Sequence, residues 1–69
     1  MRTRIDNFIK ERRKELKLTQ EELGDMVGVS RQSIISIEQG KYIPSLPLAL
    51  KFSKLFNCST DELFVLKDT

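Results

Sequence analysis

The spacing of apolar residues along the chain predicts a series of short helices. Positions that recur at intervals of three and four indicate a first amphipathic helix of about three turns, ending near Lys17. Its apolar and flanking positions are Ile5, Phe8, Ile9, Arg12, Arg13 and Leu16. No repeat or low-complexity segment interrupts the chain, so the 69 residues are predicted to form a single domain, residues 1–69.

Polar residues that can cap helices mark where the later helices begin. Thr19 and Ser59 each stand three residues before a glutamate, which is the capping-box spacing. These boxes predict a second helix that runs to about residue 27 and a fifth that runs toward residue 65. A fourth helix is predicted over residues 46–56, because Ser45 can cap it and Pro47 is tolerated in a first turn.

The connection between the second and third helices has the composition of a tight turn. Gly28 can adopt a left-handed conformation, Val29 can fill the gap between two helices, and Ser30 can cap a third helix over roughly residues 31–39. A helix of about eight residues, a short glycine-containing turn and a second helix make a helix-turn-helix unit. The sequence therefore predicts an all-α fold of five helices, with this unit at about residues 19–39.

Apolar spacing also predicts the core. Leu23, Met26 and Val27 are expected on the inner face of the second helix. The full predicted core is Ile9, Leu16, Leu18, Leu23, Val27, Val29, Ile34, Ile37, Leu46, Leu50, Leu55 and Leu63.

Charge and composition restrict the function. The net charge is only +2, but residues 1–20 hold seven basic and three acidic side chains, a local charge of +4. Such a segment suits a polyanion, and a solvated helix face explains it equally well. The chain has no histidine and one cysteine, Cys58, so neither a catalytic centre, a metal site nor a cofactor is expected. A cytoplasmic protein with no membrane segment is predicted.

The pattern T-Q-E-E-L-x-x-x-V-G-V-S-R-Q-S-I-x-x-I-E-x-G-K-x-x-P-S, residues 19 to 45, resembles the Cro/repressor-type (Xre-like) helix-turn-helix domain of phage and prokaryotic regulators. The resemblance runs from about Ile9 to Phe64 and is strongest to small stand-alone regulators over Ser30 to Lys51. Gly24 departs from the alanine usual in the family. A glycine there costs about 1 kcal/mol in a helix interior and would loosen the second helix.

The resemblance implies that the third helix enters the DNA major groove by its amino-terminal end. Arg31 would then pair with guanine, Gln32 with adenine, and Ser36, one turn further on, would be a third base contact. Arg31 has the alternative of gripping a phosphate, and all three have the alternative of a plain exposed face. Ile35 either touches a thymine methyl group or is an exposed isoleucine.

The resemblance also implies contacts to the DNA backbone. Gln20, at the start of the second helix, matches a phosphate-clamping position, where free N–H groups and the helix dipole favour an anion. Ser30 either caps its helix alone or also contacts phosphate. The remaining implied phosphate contacts are Ser33, Gln39, Lys41 and Tyr42.

Arg13 and Glu38 match family positions that form a partly buried ion pair between the first and third helices. This pair would be structural, so Arg13 is not expected to contact DNA. Loss of one partner from a buried pair costs about 3–5 kcal/mol.

The carboxyl-terminal stretch is more apolar than one face of a short helix can bury. A homodimer interface in the region of residues 56–67 is expected, through Phe56, Leu63, Phe64, Val65 and Leu66. Alternatively, these residues fold back over helices one and four. A separate hypothesis is that Met1–Ile5 pairs with Phe64–Lys67 as a two-stranded ribbon.

The predicted function is a sequence-specific, double-stranded-DNA-binding transcriptional regulator, acting as a homodimeric repressor on a pseudo-palindromic operator. The alternative is an antitoxin or a restriction-modification controller that acts partly through a protein partner such as a toxin. The sequence offers no constellation for an enzyme.

Overall fold

The two ends of the chain pair as an antiparallel sheet beside five helices. The computed structural model describes residues 3–68. The elements are β1 (Thr3–Asn7), α1 (Ile9–Glu15), α2 (Gln20–Val27), α3 (Arg31–Glu38), α4 (Leu46–Phe56), α5 (Thr60–Leu63) and β2 (Phe64–Asp68). The predicted five helices are confirmed, and the sheet is added to them.

The sheet confirms the hypothesis of a terminal two-stranded ribbon, with a shifted first strand. β1 pairs with β2 over its whole length, with Ile5 opposite Leu66. The ribbon was predicted from Met1 to Ile5, and Met1 and Arg2 lie outside the described residues.

Two predicted helix boundaries are wrong, because residues expected in the first and fifth helices belong to the two strands. The first helix begins at Ile9 instead of Ile5, since Asn7 ends the strand and its side chain redirects the chain. Asn7 Oδ1 accepts the Ile9 amide at 3.2 Å, while Asn7 Nδ2 donates to the Ile37 carbonyl at 2.9 Å. The fifth helix stops at Leu63 and not near Val65, because Phe64 is already extended and begins β2.

The predicted caps are confirmed. Thr19 and Ser59 both complete capping boxes, with hydroxyl and glutamate bonds in place. Ser30 Oγ accepts from the Ser33 amide at 3.1 Å and Ser45 Oγ from the Leu48 amide at 3.3 Å. These short-range bonds satisfy amide groups that have no partner inside the helix, which is why each helix starts at a polar residue.

The core is centred on α2, α3 and one face of α4. Its buried apolar side chains are Ile9, Leu23, Val27, Ile34, Ile37, Leu48, Phe52, Phe56 and Leu63. The expected Leu18, Val29 and Leu55 are partly buried and pack against it. Ile9 of α1 and Leu63 of α5 belong to the same core, so both helices next to the strands are packed against it.

Four residues predicted to face inward are exposed. Leu46 and Leu50 of α4 are 69% and 53% exposed, and Leu16 and Met26 are 51% and 57% exposed. α4 is apolar on most sides, so spacing alone does not select its inner face. The packed face is the row of Leu48, Phe52 and Phe56, with the two phenylalanine rings 6.2 Å apart.

Gly24 is explained by a close approach of the backbone. It is buried, and its carbonyl accepts the amides of Gly28 and Val29 at 2.8 and 2.9 Å. A Cβ at this position would lie 2.6 Å from the Val29 carbonyl oxygen. The glycine therefore lets the turn fold tightly against α2, whereas the sequence suggested only a looser helix.

Candidate nucleic-acid interface

The turn between α2 and α3 fixes the direction in which α3 leaves the core. Gly28 has a φ of 81°, in the left-handed region that favours glycine. Val29, half-buried, packs against the core immediately afterwards. Ser30 then starts α3, so the two helices are joined by three residues.

The first turn of α3 presents its polar side chains outward. Arg31 and Gln32 are exposed, and within residues 3–68 neither side chain forms a hydrogen bond or an ion pair. Ile34 and Ile37 on the opposite face are completely buried. The helix is thus anchored along one face, while the polar groups of the Arg31 and Gln32 side chains have no hydrogen-bond partner in the described part of the chain.

The other predicted base contact lies beside the same turn. Ser36 is half-buried, and its carbonyl accepts the amides of Lys41 and Tyr42 at 2.9 and 3.3 Å. These bonds bring the loop after α3 back alongside the helix. A recess results, lined by Ser30, Gln32, Ser33, Ser36 and Tyr42. Ile35 is half-buried, which leaves both of its proposed roles open.

Three of the predicted phosphate contacts, Ser30, Ser33 and Tyr42, line this recess. Ser33 shares a 3.1 Å hydrogen bond with the hydroxyl of Ser30, the residue that caps α3. Gln39, Lys41 and Tyr42 are exposed where α3 ends and the loop begins. Gln39 lines a separate recess beside the sheet, together with Asn7 and Val65.

The predicted ion pair between Arg13 and Glu38 is present. Arg13 Nε lies 2.7 Å from Glu38 Oε2, and the two side chains are only 11% and 5% exposed. Arg13 Nη1 also donates to the Leu18 carbonyl at 2.9 Å. The pair joins α1 to the end of α3 and leaves Arg13 facing the protein.

Gln20 has a protein partner that the sequence did not predict. Its Nε2 donates to Glu38 Oε1 at 3.1 Å. Spacing within one helix could not reveal this contact, because residues 20 and 38 meet only through the packing of α2 against the end of α3. The implied phosphate clamp is thus connected to the buried ion pair.

The dimer residues predicted from the sequence divide into two groups. Phe56 and Leu63 are 8% and 0% exposed within one chain, so the prediction of an interface role for them is wrong; their large apolar side chains are needed in the core. Phe64 and Val65 are half-buried, and Leu66 is 63% exposed.

A different apolar surface lies next to Leu66. Ile43 and Leu46 are 61% and 69% exposed. They line a groove together with Ile5, Pro44, Ala49, Thr60, Asp61 and Phe64. Ile5 is paired with Leu66 across the sheet, so the groove and the exposed leucine are continuous.

One of the two acidic residues in the first turn of α2, Glu22, completes its cap. The Thr19 backbone N–H donates to Glu22 Oε1 at 2.8 Å. This bond, together with the hydrogen bond of the Thr19 side chain, lowers the pKa of Glu22.

In the described part of the chain, no cluster of three or more potential ligands could hold a metal ion. None of the helices between residues 3 and 68 is long and apolar enough to cross a membrane.

Comparison with protein families decides the assignment. The helix-turn-helix family model matches residues 9–63. The chain belongs to the helix-turn-helix family. An HTH-type transcriptional regulator of Archaeoglobus fulgidus is 47% identical over 68 residues, which are 99% of this chain and 91% of that protein.

Solved structures show the same fold. The c2 repressor of Salmonella phage P22, in complex with a synthetic operator, superposes with a TM-score of 0.73 at 43% identity, over 77% of this chain and 80% of that one. The restriction-modification controller C.AhdI of Aeromonas hydrophila gives a TM-score of 0.70 at 28% identity, over 78% and 82% of the two chains.

The family assignment confirms the Cro/repressor-type resemblance. This helix-turn-helix protein is a transcriptional regulator with a DNA-binding fold similar to those of phage repressors and a restriction-modification controller. The family is one of DNA-binding transcriptional regulators, which are not enzymes.

Proposed function

We propose that this protein is a sequence-specific transcriptional repressor that inserts α3 into the major groove of double-stranded DNA. The observation that carries the proposal is the first turn of α3, where Arg31 and Gln32 are exposed, have no side-chain partner among residues 3–68, and lie opposite the completely buried Ile34 and Ile37. A helix held on its apolar face presents its amino-terminal side chains to base edges in this fold. The protein acts without a catalytic step, in the cytoplasm.

Base recognition is assigned to Arg31, Gln32 and Ser36. The Arg31 guanidinium has the fork geometry that matches guanine O6 and N7, and the Gln32 amide matches adenine N6 and N7. Ser36 lies in the same recess as Gln32, so both can contact adjacent base pairs. The two buried isoleucines keep these side chains in a fixed register.

Phosphate contacts are assigned to the residues on either side of that helix. Gln20 and Ser30 stand at the amino-terminal ends of α2 and α3, where backbone N–H groups favour anions. Lys41 adds a positive charge, and Ser33, Gln39 and Tyr42 complete the set. Such contacts position the protein without reading sequence.

The repressor is proposed to act as a homodimer, because two recognition helices one turn of DNA apart read a pseudo-palindrome. A second copy of the chain is assigned to the exposed surface of Ile43, Leu46 and Leu66, which extends into the apolar groove. Exposed apolar patches of this kind mark interfaces. Phe64 and Val65 contribute where they remain half-exposed.

Sedimentation at low salt tests the dimer. Leu66→Lys is expected to shift the wild-type dimer toward the 8.0 kDa monomer. Leu16→Lys, at an exposed leucine of the α1 carboxyl-terminal cap, serves as the control and should leave the mass unchanged. A wild type that is monomeric at every concentration would refute the dimer.

Fluorescence anisotropy tests base recognition. Wild type and Gln32→Ala are titrated onto DNA from upstream of the protein's own gene and onto scrambled DNA, at two salt concentrations. The variant should lose about 1–3 kcal/mol of its preference for the specific duplex. The matched control, Gln39→Ala, should weaken binding to both duplexes alike, because a phosphate contact carries no sequence information.

Equal weak binding of the wild type to both duplexes would contradict operator recognition at that site. No binding even at low salt would refute the DNA proposal and favour a protein partner on the exposed apolar surface, as for an antitoxin.

A further inference from the structure

Glu38 is the point at which three helices meet through side chains. Its Oε2 accepts from Arg13 Nε of α1 at 2.7 Å, and its Oε1 accepts from Gln20 Nε2 of α2 at 3.1 Å. Arg13 Nη2 adds a longer bond of 3.4 Å to Oε1. Glu38 is the last residue of α3, and its side chain is 5% exposed.

The contact with Glu38 fixes which end of the Gln20 amide faces the protein. An ionised carboxylate can only accept hydrogen bonds, so the amide atom beside it must be the NH₂ group. One of the two N–H donors is thereby used inside the protein. Among residues 3–68 the Gln20 side chain makes no other hydrogen bond, so its second N–H is unoccupied.

This orientation matters for an anion. A phosphate oxygen needs a donor, and a freely rotating glutamine would present its own carbonyl oxygen as often as its NH₂. With one N–H held by Glu38, the second N–H remains on the half-buried side chain at the first position of α2. Arg13 neutralises the carboxylate, which reduces its repulsion of a nearby phosphate.

We propose that Glu38 is a positioning residue for DNA binding, which orients Gln20 so that its second amide N–H donates to a DNA phosphate. The ion pair with Arg13 therefore has two roles, since it stabilises the fold and holds the carboxylate in place for Gln20. This inference rests on the proposed DNA-binding function. It assigns to the buried Glu38 an effect on DNA affinity that acts through the Gln20 side chain.

A double-mutant cycle tests the proposal. Glu38→Asp keeps the charge near Arg13 but withdraws the carboxylate from Gln20 by one methylene. Gln20→Met keeps the volume of the side chain and removes its donors. Binding is measured by anisotropy on a random-sequence duplex at low salt, because a phosphate contact does not require the operator.

Each single variant is expected to weaken binding about three- to tenfold, the range of one hydrogen bond. In the Gln20→Met background, Glu38→Asp should then have no further effect on binding, because its influence passes through Gln20. Two losses that multiply instead would overturn the positioning role while leaving DNA binding intact. A wild type that does not bind the duplex would overturn both proposals.

An amide spectrum of the free protein supplies a readout that does not depend on DNA, and its wild-type part does not depend on the stability of a variant. The chain has three glutamines, and Gln32 and Gln39 are exposed. The side-chain ¹H–¹⁵N signals of Gln20 should be separated from those of the two exposed residues and should move toward them in Glu38→Asp. Gln20 signals that coincide with the exposed ones in the wild type would refute the contact on which the inference depends.

Discussion

Replacing Arg13 with methionine measures what the buried ion pair contributes to folding. Methionine retains most of the apolar stem, so the change removes the charge and three hydrogen bonds while leaving a small cavity. These bonds join Arg13 to Glu38 at 2.7 and 3.4 Å and to the Leu18 carbonyl at 2.9 Å. Glu38, 5% exposed, would then be a buried carboxylate without a countercharge.

The expected cost is large for so small a protein. Removal of one partner from a buried pair costs about 3–5 kcal/mol, because the remaining charge stays desolvated. A chain of 69 residues has a total stability of about 3.5–10 kcal/mol, at about 0.05–0.15 kcal/mol per residue. Arg13→Met should therefore be marginally folded at room temperature.

Urea unfolding followed by circular dichroism measures this loss. With a slope of about 1 kcal/mol/M, typical of the smallest domains, the midpoint should fall by about 3 M or more. The matched control is Arg12→Met, whose Nη2 lies 3.9 Å from Glu62 Oε2 between side chains that are 33% and 58% exposed. Its effect should stay within about 0.5 kcal/mol, as for exposed pairs.

A second variant separates the lost pair from the uncompensated charge. In Arg13→Met/Glu38→Leu no buried charge remains, so stability should recover above that of the single variant. The reasoning would be refuted if Arg13→Met lay within about 1 kcal/mol of the wild type, or if the double variant were less stable than the single one.

Three further predictions concern local structure. Gly24→Ala should lower the unfolding free energy by about 1 kcal/mol despite the better helix propensity of alanine, because its Cβ would lie 2.6 Å from the Val29 carbonyl oxygen; a stabilised variant in urea would contradict this. Backbone N–H bonds lower the pKa of Glu22 and Glu62 below the ordinary 4.5, so their stabilisation is present above that pH and is lost as pH falls through the lowered values. Replacing both with glutamine should flatten the acid limb of the thermal melting profile, and an unchanged limb would exclude these carboxylates as its cause. Ser45→Ala should cost about 1 kcal/mol of unfolding free energy through loss of the α4 cap, a loss that Ser45→Asp should largely avoid.

Local signals in the sequence determined where most helices begin and how the central turn is made. A capping hydroxyl, its glutamate three residues on and a glycine with positive φ act within a few residues, so their effect can be read without knowledge of the fold. Thr19, Ser59 and Gly28 behave in this way. The position of Arg31 and Gln32 at the start of α3 follows from the same local reasoning, whereas their base contacts are implied by the family resemblance.

Tertiary structure decided which face of an apolar helix is buried and which distant side chains meet. α4 offers more than one apolar row, and only its packing against α2 and α5 selects Leu48, Phe52 and Phe56 over Leu46 and Leu50. Strand pairing is likewise non-local, because each hydrogen bond of the ladder joins a donor on one strand to an acceptor on the other.

The Gln20–Glu38 bond joins residues 18 apart in the sequence. The local sequence around either residue does not determine how far apart the two side chains lie. That distance is set by how α2 and α3 pack around a shared core, so the contact exists only when the core has formed.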